Sequence, residues 1–182
     1  MKFIFDSDDV LLNNTKQLKE EIIAVLGRAG LAREKIEEYW ARERLNRFSL
    51  KKMLANFALD EVLYEEVMQK CSEFVNKELI DVVRKLGKEN CYLVSYGDYE
   101  FNTAKVERSG LAPFFREVII VPGSKKEAVE RICATHKDEK VIFVDDKAYN
   151  FEDLDMQKCS NLTTILYDDH GLEKLTFILS QS

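Results

Sequence analysis

Asp6, Asp8 and Asp9 stand close together near the start of the chain, in FIFDSDDVL. Phe3, Ile4 and Phe5 read as a short buried strand, because a continuous β-prone apolar run that ends in polar residues suits a strand covered on both faces. The acids then lie where that strand ends. Side chains two apart in an extended chain point the same way, which brings Asp6 and Asp8 to one site. Carboxylates held together repel, so such a site wants a cation. Further polar groups stand at other expected element ends: Ser95 ends CYLVS, Lys125 opens a helix in GSKKEAVERI, and Asp145 and Asp146 end VIFVDD. Oxygen-rich acids favour a hard cation, and Mg²⁺ fits better than zinc. An ammonium and Mg²⁺ together suit a phosphoryl group, whose transfer needs cations around its oxygens and a nucleophile in line with the leaving oxygen. Asp6 is the candidate nucleophile, giving an aspartyl-phosphate. Asp8 is the candidate that protonates the leaving oxygen and then deprotonates water.

The elements that must position these groups follow from periodicity. From Thr15 to about Leu86 there is no proline, and only Gly27 and Gly30 interrupt a helical apolar spacing. Leu18, Ile22, Ile23, Val25 and Leu26 mark a first helix ended by the Gly27 to Gly30 stretch. A second helix is expected from Arg33 to about Arg44 and a third from Leu50 to about Leu59. A fourth, capped by Asp60, is expected through Val67, Cys71, Val75 and Leu79 to Leu86. From Asn90 strands alternate with helices: CYLVS, a helix around Glu100 to Arg108, VIIV, a helix from Lys125, VIFVDD, TTILY and a final helix. That order implies an α/β fold with a doubly wound parallel sheet and right-handed crossovers. Residues 1–14 and 87–182 then form the α/β core, and 15–86 an inserted α-helical cap. The insertion follows the first strand directly, above the carboxyl ends of the strands where open α/β sheets bind ligands. Asn13 and Gly87 are the expected hinges.

Composition narrows the function classes. At 182 residues and 46% hydrophobic, the chain can bury a sizeable core and is not disordered. A net charge of −6 and a pI near 5.2, with no basic stripe, argue against nucleic acid. MKFIF is too short an apolar run for a signal peptide, and no segment approaches the roughly 20 apolar residues of a membrane span. A soluble, cytoplasmic protein is expected. Cys71, Cys91, Cys133 and Cys159 form no CxxC pair and read as reduced structural residues. His136 and His170 read as surface residues, and Tyr39 and Trp40 as core of the helical block. Arg42, Arg44, Asn46 and Arg47, near an expected turn, are candidates to meet an anionic leaving group or to be solvated. Nothing in the sequence indicates an oligomeric state.

Taken in order, these features resemble the haloacid dehalogenase-like (HAD) superfamily, whose four motifs can be followed through the whole chain. FIFDSDDVL corresponds to DxDx(V/T), and the resemblance implies Asp6 as nucleophile and Asp8 as acid/base. Ser95 in YLVSYG matches the second motif and Lys125 the third, with Lys126 the alternative. VIFVDD matches the fourth, with Asp145 the implied direct Mg²⁺ ligand, Asp146 an outer-shell partner and the backbone carbonyl of Asp8 a further ligand. The DDxxxN form of that motif makes Asn150 a candidate to fix the loop, whereas Asp153 lies too far along to assign. The family often has Gly where this chain has Asp9, which adds a charge. The implied fold is a Rossmann-like core with a helical cap. The implied function is a Mg²⁺-dependent phosphatase acting on a small phosphorylated metabolite. The alternatives are a phosphomutase of the same fold and a catalytically inert HAD-like binding or regulatory protein. Similar mutases carry Thr and His where this chain has Asn14 and Leu18. Each feature alone has an ordinary explanation, as a turn former, a helix cap or a surface lysine; their joint order is what points to an active site.

Overall fold

The computed structural model describes residues 1–13, 15–43 and 47–181. Asn14, Arg44 and Asn46 therefore lie outside the described residues. Helices α1 (Thr15–Arg28), α2 (Arg33–Glu43), α3 (Leu50–Asn56) and α4 (Val62–Met68) are followed by α5 (Lys77–Leu86), α6 (Tyr99–Arg108), α7 (Lys126–Thr135), α8 (Tyr149–Glu152) and α9 (Gly171–Ser180). Strands β1 (Lys2–Phe5), β2 (Cys91–Tyr96), β3 (Glu117–Val121), β4 (Val141–Asp145) and β5 (Leu162–Leu166) form one parallel sheet in the order β3-β2-β1-β4-β5.

Both faces of this sheet are covered, which is why its inner strands read as unbroken apolar runs. Phe3, Phe5, Leu93, Ile142 and Val144 join one hydrophobic cluster with residues of α5, α6 and α9. Ile4, Tyr92, Val94, Val141 and Phe143 alternate into a second cluster with Val129 and Ile132 of α7. The chain leaves β1 toward β2 and β3, then returns to the other side of β1 for β4 and β5. The strand order thus reverses between β1 and β4, and the crevice that such a reversal opens lies at the carboxyl ends of those strands.

A third cluster belongs to α1–α4 and the 3₁₀ segment Gln69–Phe74, with Phe101 of α6 packed into it. Tyr39 is buried there and Trp40 packs against it, as expected of core residues. The fourth helix is not continuous. It breaks at Val75 and Asn76, because Val75 is extended and pairs antiparallel with Leu12, and Asn76 starts a new helix with its side chain accepting from Leu79 N–H at 3.2 Å. Asn13 N–H donates to Phe74 O at 2.8 Å and Asn76 N–H to Leu11 O at 2.9 Å, so the outgoing and returning chains lie side by side. Beyond that crossing, Leu79, Ile80 and Val83 of α5 pack on the sheet. Within residues 15–86, α1–α4 thus pack in one cluster and α5 in another, and the two chain segments pair at residues 11–13 and 74–76. The third helix ends early, at Asn56, since Ala58 takes a left-handed φ of 51° and Leu59 N–H closes back on Leu54 O at 2.9 Å.

The four cysteines are buried and unbonded. Burial pushes the thiols of Cys71 up to about 11 and of Cys91 and Cys133 up to about 12, which keeps them protonated and inert. His170 is exposed, but His136 is half-buried, its Nε2 2.8 Å from the Tyr92 hydroxyl; an aromatic partner on the sheet draws it in. Among the described residues no helix is long and apolar enough to cross a membrane.

Candidate active site

Asp6 is the first residue beyond β1, tied to the neighbouring strand by its N–H donating to Val144 O at 3.0 Å. Asp145 is the last residue of β4, and Ser95 the penultimate residue of β2. All three therefore come to the carboxyl edge of the sheet, Asp6 and Asp145 on either side of the switch point. Lys125 precedes α7, and the buried Ala128, Val129 and Ile132 fix that helix on the sheet so that the lysine points inward.

Lys125 is buried, and its Nζ lies 2.7 Å from Asp6 Oδ1 and 2.7 Å from Asp145 Oδ2. Lys126 instead turns outward, donating to Asp153 O at 2.6 Å, while Ser124 holds the Asp153 carboxylate at 2.9 Å. The geometry thus separates the two lysines and gives Asp153 a loop-bracing place outside the acid cluster. Asp145 is fully buried and satisfied: its Oδ1 accepts from Lys147 N–H and Asn150 Nδ2, each at 2.9 Å. Asn150 does fix this loop. Asp146 differs from Asp145, since its Oδ2 pairs with Lys147 while its Oδ1 is buried with no hydrogen-bond partner among the described residues. Asp6, Asp145 and Asp146 each offer an oxygen, and these oxygens lie within 4.8 Å of one another.

Burial is the largest influence on Asp6. It outweighs the attraction of Lys125 and, with repulsion from Asp145 and Asp8, pushes the carboxyl up from 3.8 to about 7. Burial alone would lower Lys125, but Asp6 and Asp145 together raise it, so the shared ammonium stays charged. Burial likewise raises Asp146 against the pull of Lys147. A buried oxygen without a donor amid crowded acids fits a divalent cation with oxygen ligands.

The chain does not stay extended after Phe5. Residues 7–11 turn, with Leu12 N–H donating to Ser7 O at 2.9 Å and Asp9 N–H to Leu12 O at 2.7 Å. The Asp8 carboxylate is not among the oxygens gathered within 4.8 Å at Asp6, Asp145 and Asp146, although its charge still repels Asp6. It meets Lys105 of α6, whose Nζ donates to Oδ1 at 2.6 Å and to Oδ2 at 2.7 Å. Ser7 adds a donor to Asp8 Oδ1 at 3.3 Å, and its own hydroxyl lies 2.7 Å from that of Ser95. Neither Lys105 nor Ser7 was expected. The signal for Lys105 is its place four residues after Phe101 on the buried face of α6.

Asp9 takes φ 57°, a left-handed conformation in which an acid is tolerated and glycine is strain-free. Its Oδ1 accepts from Thr15 N–H at 3.0 Å, an otherwise orphan donor at the start of α1. Asp9→Ala should therefore lose a capping acceptor and keep the backbone strain, at a cost of about 2 kcal/mol, or a melting temperature lower by roughly 4–8 °C. Asp9→Gly relieves the strain and should lose less. Thermal melts in which Ala is no worse than Gly would contradict this account.

Arg42 stacks on Tyr39, with its guanidinium 4.8 Å from the ring centroid, and pairs with Glu43 at 2.7 Å. Arg47 is exposed in a left-handed turn with φ 64°. No contact brings either to the acids among the described residues.

No protein-family model and no curated protein matches this chain. Solved structures do match its fold. A chain from Burkholderia xenovorans LB400, described as a haloacid dehalogenase-like hydrolase, superposes with a TM-score of 0.69 at 21% identity, over 93% of this chain and 86% of that one. A chain from Thermotoga maritima, described as a β-phosphoglucomutase, gives 0.62 at 15% identity over 100% and 99%. The HAD-hydrolase YfnB of Bacillus subtilis, bound to magnesium, gives 0.56 at 16% identity over 98% and 97%. A dehalogenase is among the other matches. The fold of this chain is that of the haloacid dehalogenase-like hydrolases.

Proposed function

We propose that the protein is a Mg²⁺-dependent phosphatase that hydrolyses a phosphomonoester through an aspartyl-phosphate on Asp6. The observation that carries this reading is the asymmetry of Asp6. Its Oδ1 is held by Ser7 N–H and Lys125, each at 2.7 Å, whereas its Oδ2 accepts no hydrogen bond among the described residues. Oδ2 is thus a fixed oxygen available to attack phosphorus. As the Oδ2–P bond forms, the bond from phosphorus to the leaving oxygen breaks, and Asp8, which must enter this step protonated, gives that oxygen its proton and becomes the carboxylate. Water then attacks the phosphoryl group, its proton passing to Asp8, and Asp6 leaves as a carboxylate. Lys125 and the hydroxyl of Ser95 stand at the same edge to receive phosphoryl oxygens. Asp6, Asp145 and the unpartnered Oδ1 of Asp146 are the oxygens that would hold Mg²⁺, whose charge, when bound, offsets that of the phosphoryl group. The magnesium in the similar B. subtilis structure supports this choice of ion.

Residues 15–74 act as the lid in this reading, moving about the paired segments 12–13 and 75–76 and excluding water when closed. The substrate is a small phosphorylated metabolite whose leaving group meets the lid. An assay with p-nitrophenyl phosphate tests the proposal: turnover should require Mg²⁺, disappear with a chelator and return on adding the metal. Inactivity across a broad panel of phosphomonoesters, or turnover of a 2-haloacid in their place, would sink it.

A further inference from the structure

Asp6 and Asp8 each lie against a buried ammonium. Lys125 serves Asp6 and Asp145. Lys105, which is 3% exposed, spends its charge on Asp8 alone among the described acids, with both carboxylate oxygens within 2.7 Å of Nζ. Burying a lysine is costly unless the ammonium is paired in good geometry, so the fold invests in this contact. The lysine stem is also fixed: Nζ lies 5.3 Å from the centroid of Phe101, one turn earlier on α6, and that ring is packed into the cluster of α1–α4. Phe48 meets the same ring edge-on at 5.4 Å. Ion pairs from Glu65 to Arg108 at 2.6 Å and from Lys52 to Asp98 at 3.2 Å tie the helical block to the two ends of α6.

We infer that Lys105 is the positioning residue for Asp8: it fixes the direction in which the carboxylate meets the leaving oxygen, without touching substrate itself. The inference rests on the acid/base role of Asp8 proposed above and extends it to a residue on a different element. Among the described residues Ser7 reaches the same carboxylate at 3.3 Å, whereas Lys105 makes two short contacts with it, one to each oxygen. A carboxylate displaced by an ångström no longer meets the leaving oxygen at hydrogen-bond distance, and proton delivery is lost while nucleophilic attack by Asp6 continues.

The test is single-turnover release of the leaving group from p-nitrophenyl phosphate, which needs no proton, and from an alkyl phosphate, which does. In Lys105→Met the alkyl rate should fall by about 10- to 100-fold while the nitrophenyl rate stays within about twofold. Lys105→Arg, which can still grip both oxygens, should recover part of the alkyl rate. Added to Asp8→Asn, Lys105→Met should cost nothing further, because the positioned group is already gone. If Lys105→Met does not fold, Lys105→Gln carries the same comparison. Equal loss on both substrates, or a full additional loss on the Asp8→Asn background, would overturn the positioning role and make Lys105 a structural residue. An Asp8→Asn variant with an unchanged ratio between the two substrates, or an inactive wild type, would overturn the acid role of Asp8 itself and this inference with it.

Discussion

Asp6→Asn should lose turnover and yet melt higher than wild type in metal-free buffer at pH 8. The first effect follows from chemistry, since an amide oxygen is a poor nucleophile, and a drop of at least about a thousandfold is expected when the attacking atom is removed. The second follows from linkage. The folded protein holds the Asp6 carboxyl at about 7, above its ordinary 3.8, chiefly because burial opposes the charge. A raised carboxyl means that the folded state binds the proton more tightly than the unfolded chain, so stability is greatest at low pH and falls as pH rises from about 4 through 7. Above that window ionised Asp6 costs on the order of 4 kcal/mol, and the neutral amide, of nearly the same shape, is spared that cost. The variant and wild type should therefore melt close together at pH 4, where folded Asp6 is protonated and the unfolded carboxyl is only about half ionised, and diverge up to pH 8. The gap there should be on the order of 10 °C. Calorimetry of both proteins in chelator across this range measures it. A gap that does not change with pH would mean that Asp6 is not the strained group, and retained phosphatase activity in pure Asp6→Asn would remove it as nucleophile.

Why these residues could be read from sequence, and others not, has a physical basis. Asp6, Ser95 and Asp145 follow or end apolar runs, and a parallel sheet brings the carboxyl ends of all its strands to one edge, so strand pattern alone places them together. Lys125 was legible because Ala128, Val129 and Ile132 set the buried face of its helix. The helical block was legible, and the break inside its last expected helix was not. Apolar spacing runs unbroken through Val67, Cys71, Val75 and Leu79, yet Val75 joins Leu12 in a short pairing, and Asn76 caps a new helix that belongs to the sheet. The asparagine was the sign of the break, outweighed by the periodicity around it. Lys105 was hidden for a related reason: a lysine in the middle of a helix reads as solvated, and only its partner on a turn 97 residues earlier makes its burial affordable. The Asp8 turn was missed because the alternation rule holds only while the chain stays extended, and residues 7–11 do not.

Lys125→Met should be the most destabilising single substitution at the site, and the one whose cost is most sensitive to both pH and Mg²⁺. The ammonium lies 2.7 Å from an oxygen of Asp6 and 2.7 Å from one of Asp145, and all three residues are buried. Methionine fills much the same space, so the loss is that of charge. Removing one member of a buried ion pair costs about 3–5 kcal/mol, because the remaining charges keep their desolvation penalty without compensation. For a chain of this size that corresponds to a melting temperature lower by roughly 10 °C or more at pH 8. Without the ammonium Asp6 is held still further above its ordinary value, so protonation relieves more of the strain, and the deficit should shrink as pH falls toward 5. A divalent ion among Asp6, Asp145 and Asp146 supplies part of the missing positive charge. Mg²⁺ at a hundredfold its Kd stabilises a folded protein by about 2.7 kcal/mol, and its Kd should be tighter where the ammonium no longer competes for the same carboxylates. The shift in melting temperature on adding a fixed Mg²⁺ concentration at pH 8 should therefore be larger in Lys125→Met than in wild type. It should be smaller in Lys125→Met combined with Asp146→Asn, whose amide carries no charge and, with its one oxygen on Lys147, turns an NH2 toward the acids. Equal Mg²⁺ shifts in all three proteins would show that the ion does not bind at these acids, whatever the melting temperatures themselves turn out to be.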